Sequence, residues 1–335
     1  MTYSTLPLIQ RALKPKNKER LDILCFDTHE RCQSQMAKTG HNFYSLRYKD
    51  CKEWNTDFAP IPENYHILND MVFGIDYDFI LSQSKFGQLQ MSKHIQQRIG
   101  LPIIHLEHTI PTSNYSPNQL EALKGIWGDY NVFISDYARE SWGFDDNAPV
   151  ICNSIDHEFF KPTNVDMYGE EMICDGTVFT VQNDFINRDY CLNYQGWKRI
   201  ISGLPAKVLG DTKGLSEPAG SLEHLRDEYN KCAVYINTTT ESQMPTAIIE
   251  AMACGKPVVS TATCSIPSFI KHGENGFLTN DEEEFKGYIQ QLLNDENLRK
   301  EIGNNARQTV LDIFSEDKYI NSWNNIFRKV YEEIK

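Results

Sequence analysis

Short apolar runs of about four to six residues recur along the chain, separated by stretches whose apolar residues return every three or four positions. The runs at residues 21–26, 43–46, 79–82, 101–106 and 130–135 predict buried strands, and the intervals 32–38, 85–99 and 119–127 predict helices. Gly40 and Gly100 stand where helices should stop. Residues 150–155 close this half. Residues 156–176 are polar and poor in periodicity, which marks a linker. The pattern then repeats, with strands predicted at 177–181, 206–209, 233–236, 257–260 and 276–278. Helices follow from 194–202, 222–231, 246–254, 281–294, 297–314 and 316–334. Strands alternating with helices predict parallel sheets covered on both faces. The expected fold class is therefore α/β: two doubly wound, Rossmann-like domains, one over residues 1–155 and one over 156–315. Two such domains imply a cleft in which two substrates could meet.

Composition narrows the classes. With 335 residues, 40% hydrophobic and 24% charged, the chain has material for two cores and is not expected to be disordered. No apolar run reaches membrane-spanning length, and the first ten residues lack the pattern of a secretory signal, so a cytoplasmic protein is expected. The net charge of −13 argues against a general grip on nucleic acid, although residues 1–50 carry nine basic against five acidic side chains. Nine cysteines are scattered with no C-x-x-C pair, which argues against a disulfide framework or a structural zinc site.

The chemistry concentrates in residues 237–260. A strand runs into a polar loop containing Glu241, Ser242, Gln243, Met244 and Pro245, and the loop enters a helix at Thr246. Unpaired backbone N–H groups at such a helix start favour an anion. Glu250, one turn in, repels phosphate but can accept from two ribose hydroxyls. The arrangement suits a nucleoside diphosphate whose ribose lies beside Glu250.

Glu250-Ala-Met-Ala-Cys-Gly-Lys-Pro-Val258 resembles the donor motif of family 4 glycosyltransferases, in particular phage and bacterial-type members. These are retaining enzymes of the GT-B fold. The family pattern is Glu, seven residues, Glu, then Ala-Met-Ala-x-Gly-x-Pro-Val. Here eight residues separate Glu241 from Glu250, and Ser242 holds the position that the pattern gives to the first Glu. Either Glu241 through a one-residue bulge, or Ser242 with Gln243, takes the sugar-side role. Residues 132–143, the 151–162 segment ending Phe160-Lys-Pro162, and residues 265–278 fit the same family.

The resemblance implies a nucleotide-sugar co-substrate, a UDP-sugar foremost, and retaining transfer of a hexosyl or pentosyl group to an acceptor hydroxyl. It also implies that the last helix, 316–335, returns to the first domain. Family members place an Arg and a Lys after the first strand of the donor domain; here the candidates are Arg188 and Lys198, with Gly210 passing the base or ribose. His108, after the strand at 101–106, is the candidate near the transferred sugar. His105-x-x-His108 has metal-like spacing, but residues three apart on a strand face opposite ways. Asp76-Tyr-Asp78 resembles a metal-binding Asp-x-Asp yet introduces a strand, so it is read as a turn. No cofactor and no essential metal are expected. The acceptor is read as a glycan, free or lipid-linked, with a hydroxymethylated DNA base as the alternative. A nucleotide-sugar epimerase of the same fold is a further alternative. The sequence leaves the oligomeric state open.

Overall fold

The computed structural model describes residues 15, 17–47, 53–72, 74–84, 87–111 and 115–333. The first ten residues, residues 11–14 and 16 of the basic run from Arg11 to Arg20, Cys51, Lys85 at the start of the expected 85–99 helix, and the last two residues lie outside them. The described residues fall into two compact units, dividing at Ile151/Cys152 and again at Lys318/Tyr319.

The first unit carries β1 (Asp22–Phe26), β2 (Asn42–Leu46), β3 (Tyr65–Leu68), β4 (Phe79–Gln83), β5 (Ile103–Glu107) and β6 (Tyr130–Phe133). They form one parallel sheet in the order β3-β2-β1-β4-β5-β6. Between them run α1 (Glu30–Ala37), α2 (Gln88–Ile99), α3 (Pro117–Lys124) and α4 (Asp136–Ser141). Gly100 ends α2 in the left-handed conformation (φ 72°), which a residue without Cβ adopts freely. The expected 119–127 helix starts two residues earlier, because Ser116 and Gln119 form a reciprocal capping box with Pro117 in the first turn.

The chain returns to this unit through α11 (Glu316–Glu333; the labels α5 to α10 fall in the second unit). Its buried face carries Tyr319, Trp323, Phe327 and Val330. The Phe327 ring lies 5.3 Å from that of Phe79, 6.4 Å from that of Phe43 and 5.6 Å from that of His41. One helix thus closes the face of the sheet over β2 and β4. Asp78 explains the Asp-x-Asp: its buried carboxylate accepts from Lys18 Nζ and from the Asp22 backbone N–H, each at 2.8 Å. It fastens the entrance of β1 to that of β4.

The second unit holds β7 (Val178–Val181), β8 (Ala206–Leu209), β9 (Val234–Asn237), β10 (Val258–Ser260) and β11 (Phe277–Leu278), all parallel, in the order β11-β10-β9-β7-β8. Its helices are α5 (Asp189–Leu192), α6 (Tyr194–Ile200), α7 (Leu222–Lys231), α8 (Thr246–Ala253), α9 (Glu282–Asn294) and α10 (Glu296–Ile313). Asp281 and Asp295 cap α9 and α10 by accepting from first-turn N–H groups. The core gathers Val178, Ile236 and Val259 from the sheet with Trp197, Phe285 and Ile289 from the helices. A close approach fixes α8. A Cβ on Gly303 of α10 would lie 2.1 Å from the Gly255 carbonyl oxygen, so only glycine lets α10 rest on the turn that ends α8.

Candidate functional site

The second unit gathers most of its candidate residues at the carboxyl edge of its sheet; Lys198, in the last turn of α6, is not among them. At the end of β9, buried Asn237 donates to Ser260 Oγ on β10 and to Thr239 Oγ1, both at 2.9 Å. Thr263 Oγ1 donates to the Thr239 carbonyl at 2.9 Å, and Ser265 Oγ donates to the Gln243 carbonyl. These bonds occupy the backbone of the loop before α8 and hold it against the segment after β10. The same loop is tied to the segment after β7: the N–H groups of Thr240 and Glu241 both reach the Cys191 carbonyl, at 2.8 and 3.2 Å. Arg188, three residues before Cys191, is therefore brought beside the Glu241 loop. Arg188 itself is exposed and makes a 3.8 Å contact to Cys191 Sγ.

Along the loop, Glu241 and Ser242 are half-buried, Gln243 and Met244 are buried, and Pro245 takes the N-cap position of α8. The chain turns extended at Pro245 (φ −64°, ψ 112°), and proline offers no side-chain oxygen to the helix. The first turn, entered at exposed Thr246, has no side-chain cap and no acidic residue, which leaves the positive end of the helix dipole uncompensated by side chains. Glu250 lies in the next turn and is 2% exposed. Its Oε2 accepts from the Tyr229 hydroxyl of α7 at 2.8 Å. Burial, and then the Glu250 charge, push the Tyr229 phenol well above its ordinary pKa, so it is a donor at any physiological pH.

Gly210 sits at the end of β8 with φ 125°. A Cβ there would lie 2.0 Å from the Gln182 carbonyl oxygen, so at this point the segments after β7 and β8 meet backbone to backbone. Thr212 Oγ1 donates to that same carbonyl at 3.3 Å, and Asp211 N–H donates to Asn183 Oδ1 at 2.8 Å. Lys198 lies in α6, exposed, with its ammonium 5.4 Å from the Tyr194 ring centroid, a cation–π distance.

In the first unit His108 follows β5, half-buried. Its Nε2 is 3.0 Å from Gln83 Oε1, and its backbone N–H donates to Ser84 Oγ. His105 lies inside β5, fully buried, with Nε2 3.4 Å from Glu107 Oε2. Glu107 Oε1 accepts from Thr109 N–H and Oγ1, both at 2.7 Å. Burial raises the Glu107 pKa, but the hydrogen bonds from His105, Ser84 and Thr109 outweigh it and hold the carboxyl below its ordinary value. Ser82, His105 and Glu107 contain the residue types of a hydrolase triad, yet all three are buried in the sheet, where no substrate reaches them. Among the described residues no cluster of three or more His, Cys, Asp or Glu could hold a metal ion, and no helix is long and apolar enough to cross a membrane.

Sequence reasoning located Glu250 and the helix start but not Tyr229. Its pairing with Glu250 spans 21 residues and arises from the packing of α7 beside α8, for which one chain's local pattern holds no signal. The threonine and serine brace behind the loop was missed for the same reason. Its residues come from two strands and the turns after them.

Residues 219–309 match the family model described as glycosyl transferases group 1. N-acetyl-alpha-D-glucosaminyl L-malate synthase of Bacillus anthracis is 34% identical over 26% of this chain, a match spanning 24% of that protein. An uncharacterized glycosyltransferase of Methanocaldococcus jannaschii is 21% identical over 86% of each chain. Among solved structures, Anabaena Alr3699/HepE in complex with UDP and glucose superposes with a TM-score of 0.74 at 15% identity, covering 92% of this chain and 99% of that one.

Proposed function

We propose, from the match of residues 219–309 to the family model for glycosyl transferases group 1 and from the GT-B fold of the chain, that the protein transfers a sugar from a nucleotide-sugar donor to an acceptor hydroxyl. The observation that carries the reading is the pairing of an α8 start lacking any side-chain cap with a buried Glu250 one turn further in. The helix start stabilises the diphosphate and the charge that grows on it as the glycosidic bond breaks. Glu250 accepts from the ribose hydroxyls. Arg188 supplies a guanidinium that can grip two phosphate oxygens at once, and Lys198 supplies a second cation. Gly210 gives the base or ribose a surface without a side chain. Glu241, or Ser242 with Gln243, faces the donor sugar together with buried Met244 and half-buried Pro245.

The donor is a UDP-sugar in this reading, a choice supported by the UDP and glucose held by the Anabaena structure of the same fold. Transfer retains the anomeric configuration: the acceptor hydroxyl attacks from the face that the diphosphate leaves, and a leaving phosphate oxygen takes its proton. Neither a protein nucleophile nor a metal is then required. The first unit binds the acceptor, and His108, half-buried after β5, is the candidate residue for that role. The acceptor is a glycan, since the net charge of −13 opposes DNA and Lys18 of the basic N-terminal region is already engaged by Asp22 and Asp78. The reading places the protein in the cytoplasm, where nucleotide sugars are made.

Incubation with UDP-glucose and a panel of oligosaccharides, with the product followed by proton NMR, tests this reading. An α-linked product from the α-linked donor supports it. A β-linked product contradicts the retaining course, and free UDP with no acceptor-dependent product contradicts transfer.

A further inference from the structure

We propose that Tyr229 is a positioning residue for nucleotide recognition, holding the Glu250 carboxylate in the orientation that reads the ribose hydroxyls; the inference rests on the donor-site reading above. A carboxylate that accepts from two neighbouring hydroxyls must present both oxygens in one plane. Glu250 projects from a helix on a side chain with three rotatable bonds, so that plane is not set by the backbone.

The Tyr229 hydroxyl reaches Oε2 at 2.8 Å. The rings of Phe160, Phe179 and Tyr235 surround that of Tyr229, with centroids 6.2, 5.4 and 5.7 Å away and the two phenylalanines edge-on. Both partners are buried, Tyr229 completely. The ring is therefore fixed by packing, the hydroxyl by the ring, and the carboxylate by the hydroxyl. A buried carboxylate that lost this donor would turn toward another one to recover the hydrogen bond. A plane turned away from the ribose weakens the contacts to its hydroxyls while leaving the base and diphosphate contacts in place. The signature is thus a loss of discrimination for ribose.

The test measures affinity for UDP against 2′-deoxy-UDP, and likewise for the ADP and GDP pairs, by calorimetry on the full chain. Wild type is expected to prefer the ribonucleotide on the order of tenfold, the worth of a hydrogen bond to a charged group. Tyr229→Phe is expected to reduce that preference to about twofold, with the deoxynucleotide affinity little changed. Substituting p-aminophenylalanine at position 229, which returns an N–H donor to the same place, is expected to restore it.

An unchanged preference in Tyr229→Phe overturns the inference while leaving the donor site standing, because a purely structural tyrosine would lower the unfolding temperature without touching the ratio. Should Tyr229→Phe fail to fold, p-fluorophenylalanine at position 229, which nearly fills the same space but donates no hydrogen bond, decides: discrimination lost supports the inference, and discrimination kept overturns it. Wild type that binds a nucleotide with no ribose preference also overturns it. Wild type that binds none of the nucleotides overturns both the inference and the donor-site reading.

Discussion

Gly210 and Gln182 meet backbone to backbone, so closely that any side chain at position 210 would stand 2.0 Å from the Gln182 carbonyl oxygen. The φ of 125° adds a second reason for glycine, since L-residues rarely adopt it. Gly210→Ala must therefore move the ends of both β7 and β8. We expect a destabilisation of roughly 2–4 kcal/mol, with the unfolding temperature falling by roughly 5–10 °C. If the carboxyl edge of this sheet forms the donor site, nucleotide affinity falls as well. Calorimetric scanning and a nucleotide titration of the same sample read both effects.

His41 sets the acid limit of the first unit. Its Nδ1 accepts from the Leu21 N–H at 3.2 Å, and its ring meets Phe327 of α11. Burial, with Arg328 next, brings its pKa down to about 4, while Arg20 adds to the fall and Asp78 opposes it. A histidine depressed from 6.5 to about 4 favours folding while neutral. Its contribution is complete above about pH 6.5 and is lost as the pH falls toward 4, by up to about 3 kcal/mol. Glu107 and Asp22, whose pKa values are also lowered, lose their contributions only below their ordinary values of 4.5 and 3.8. The interval from 6.5 to 5 therefore isolates the histidine. Urea midpoints measured across that interval should fall in wild type and stay nearly level in His41→Asn.

Most strands of both sheets are readable as apolar runs because the inner strands of a parallel sheet are buried on both faces. β3 is not. Tyr65-His-Ile-Leu68 lies at the sheet edge, and only Tyr65 is buried, so neither a run nor an alternation marks it. The donor segment was readable because the features involved are local: a strand end, a loop, a helix start, and a carboxylate one turn in. Tyr229, the brace from Ser260 to Ser265 and the contact between Gly303 and Gly255 were not. Each is a relation between elements that only packing brings together.

Asp78 is structural in this account. Its carboxylate is buried and receives Lys18 and the Asp22 N–H. Asp78→Asn keeps the shape but weakens the charge-assisted bond, and should cost about 1–3 kcal/mol. Nucleotide affinity should not change, and added Mn²⁺ should alter the affinity of neither protein. Equilibrium unfolding with a parallel titration checks this; a metal-dependent affinity lost in the variant would return Asp78 to the chemistry.

Arg188 and Lys198 should separate. Arg188 lies beside the Glu241 loop and is exposed, so Arg188→Ala is expected to weaken UDP binding on the order of tenfold or more while leaving uridine binding unaltered. The Lys198 ammonium is held over Tyr194, and Lys198→Ala should cost no more than a fewfold. Titrations with UDP and uridine distinguish a phosphate contact from a general loss of the site.

The most direct measurement is nucleotide binding by isothermal titration without added metal, on wild type and on Glu250→Ala. Wild type is expected to bind one nucleoside diphosphate in preference to the others, and Glu250→Ala, still folded, to lose at least about tenfold in affinity for it. A folded wild-type protein that binds none of UDP, GDP and ADP, or a Glu250→Ala protein that binds as wild type does, would contradict the donor-site reading.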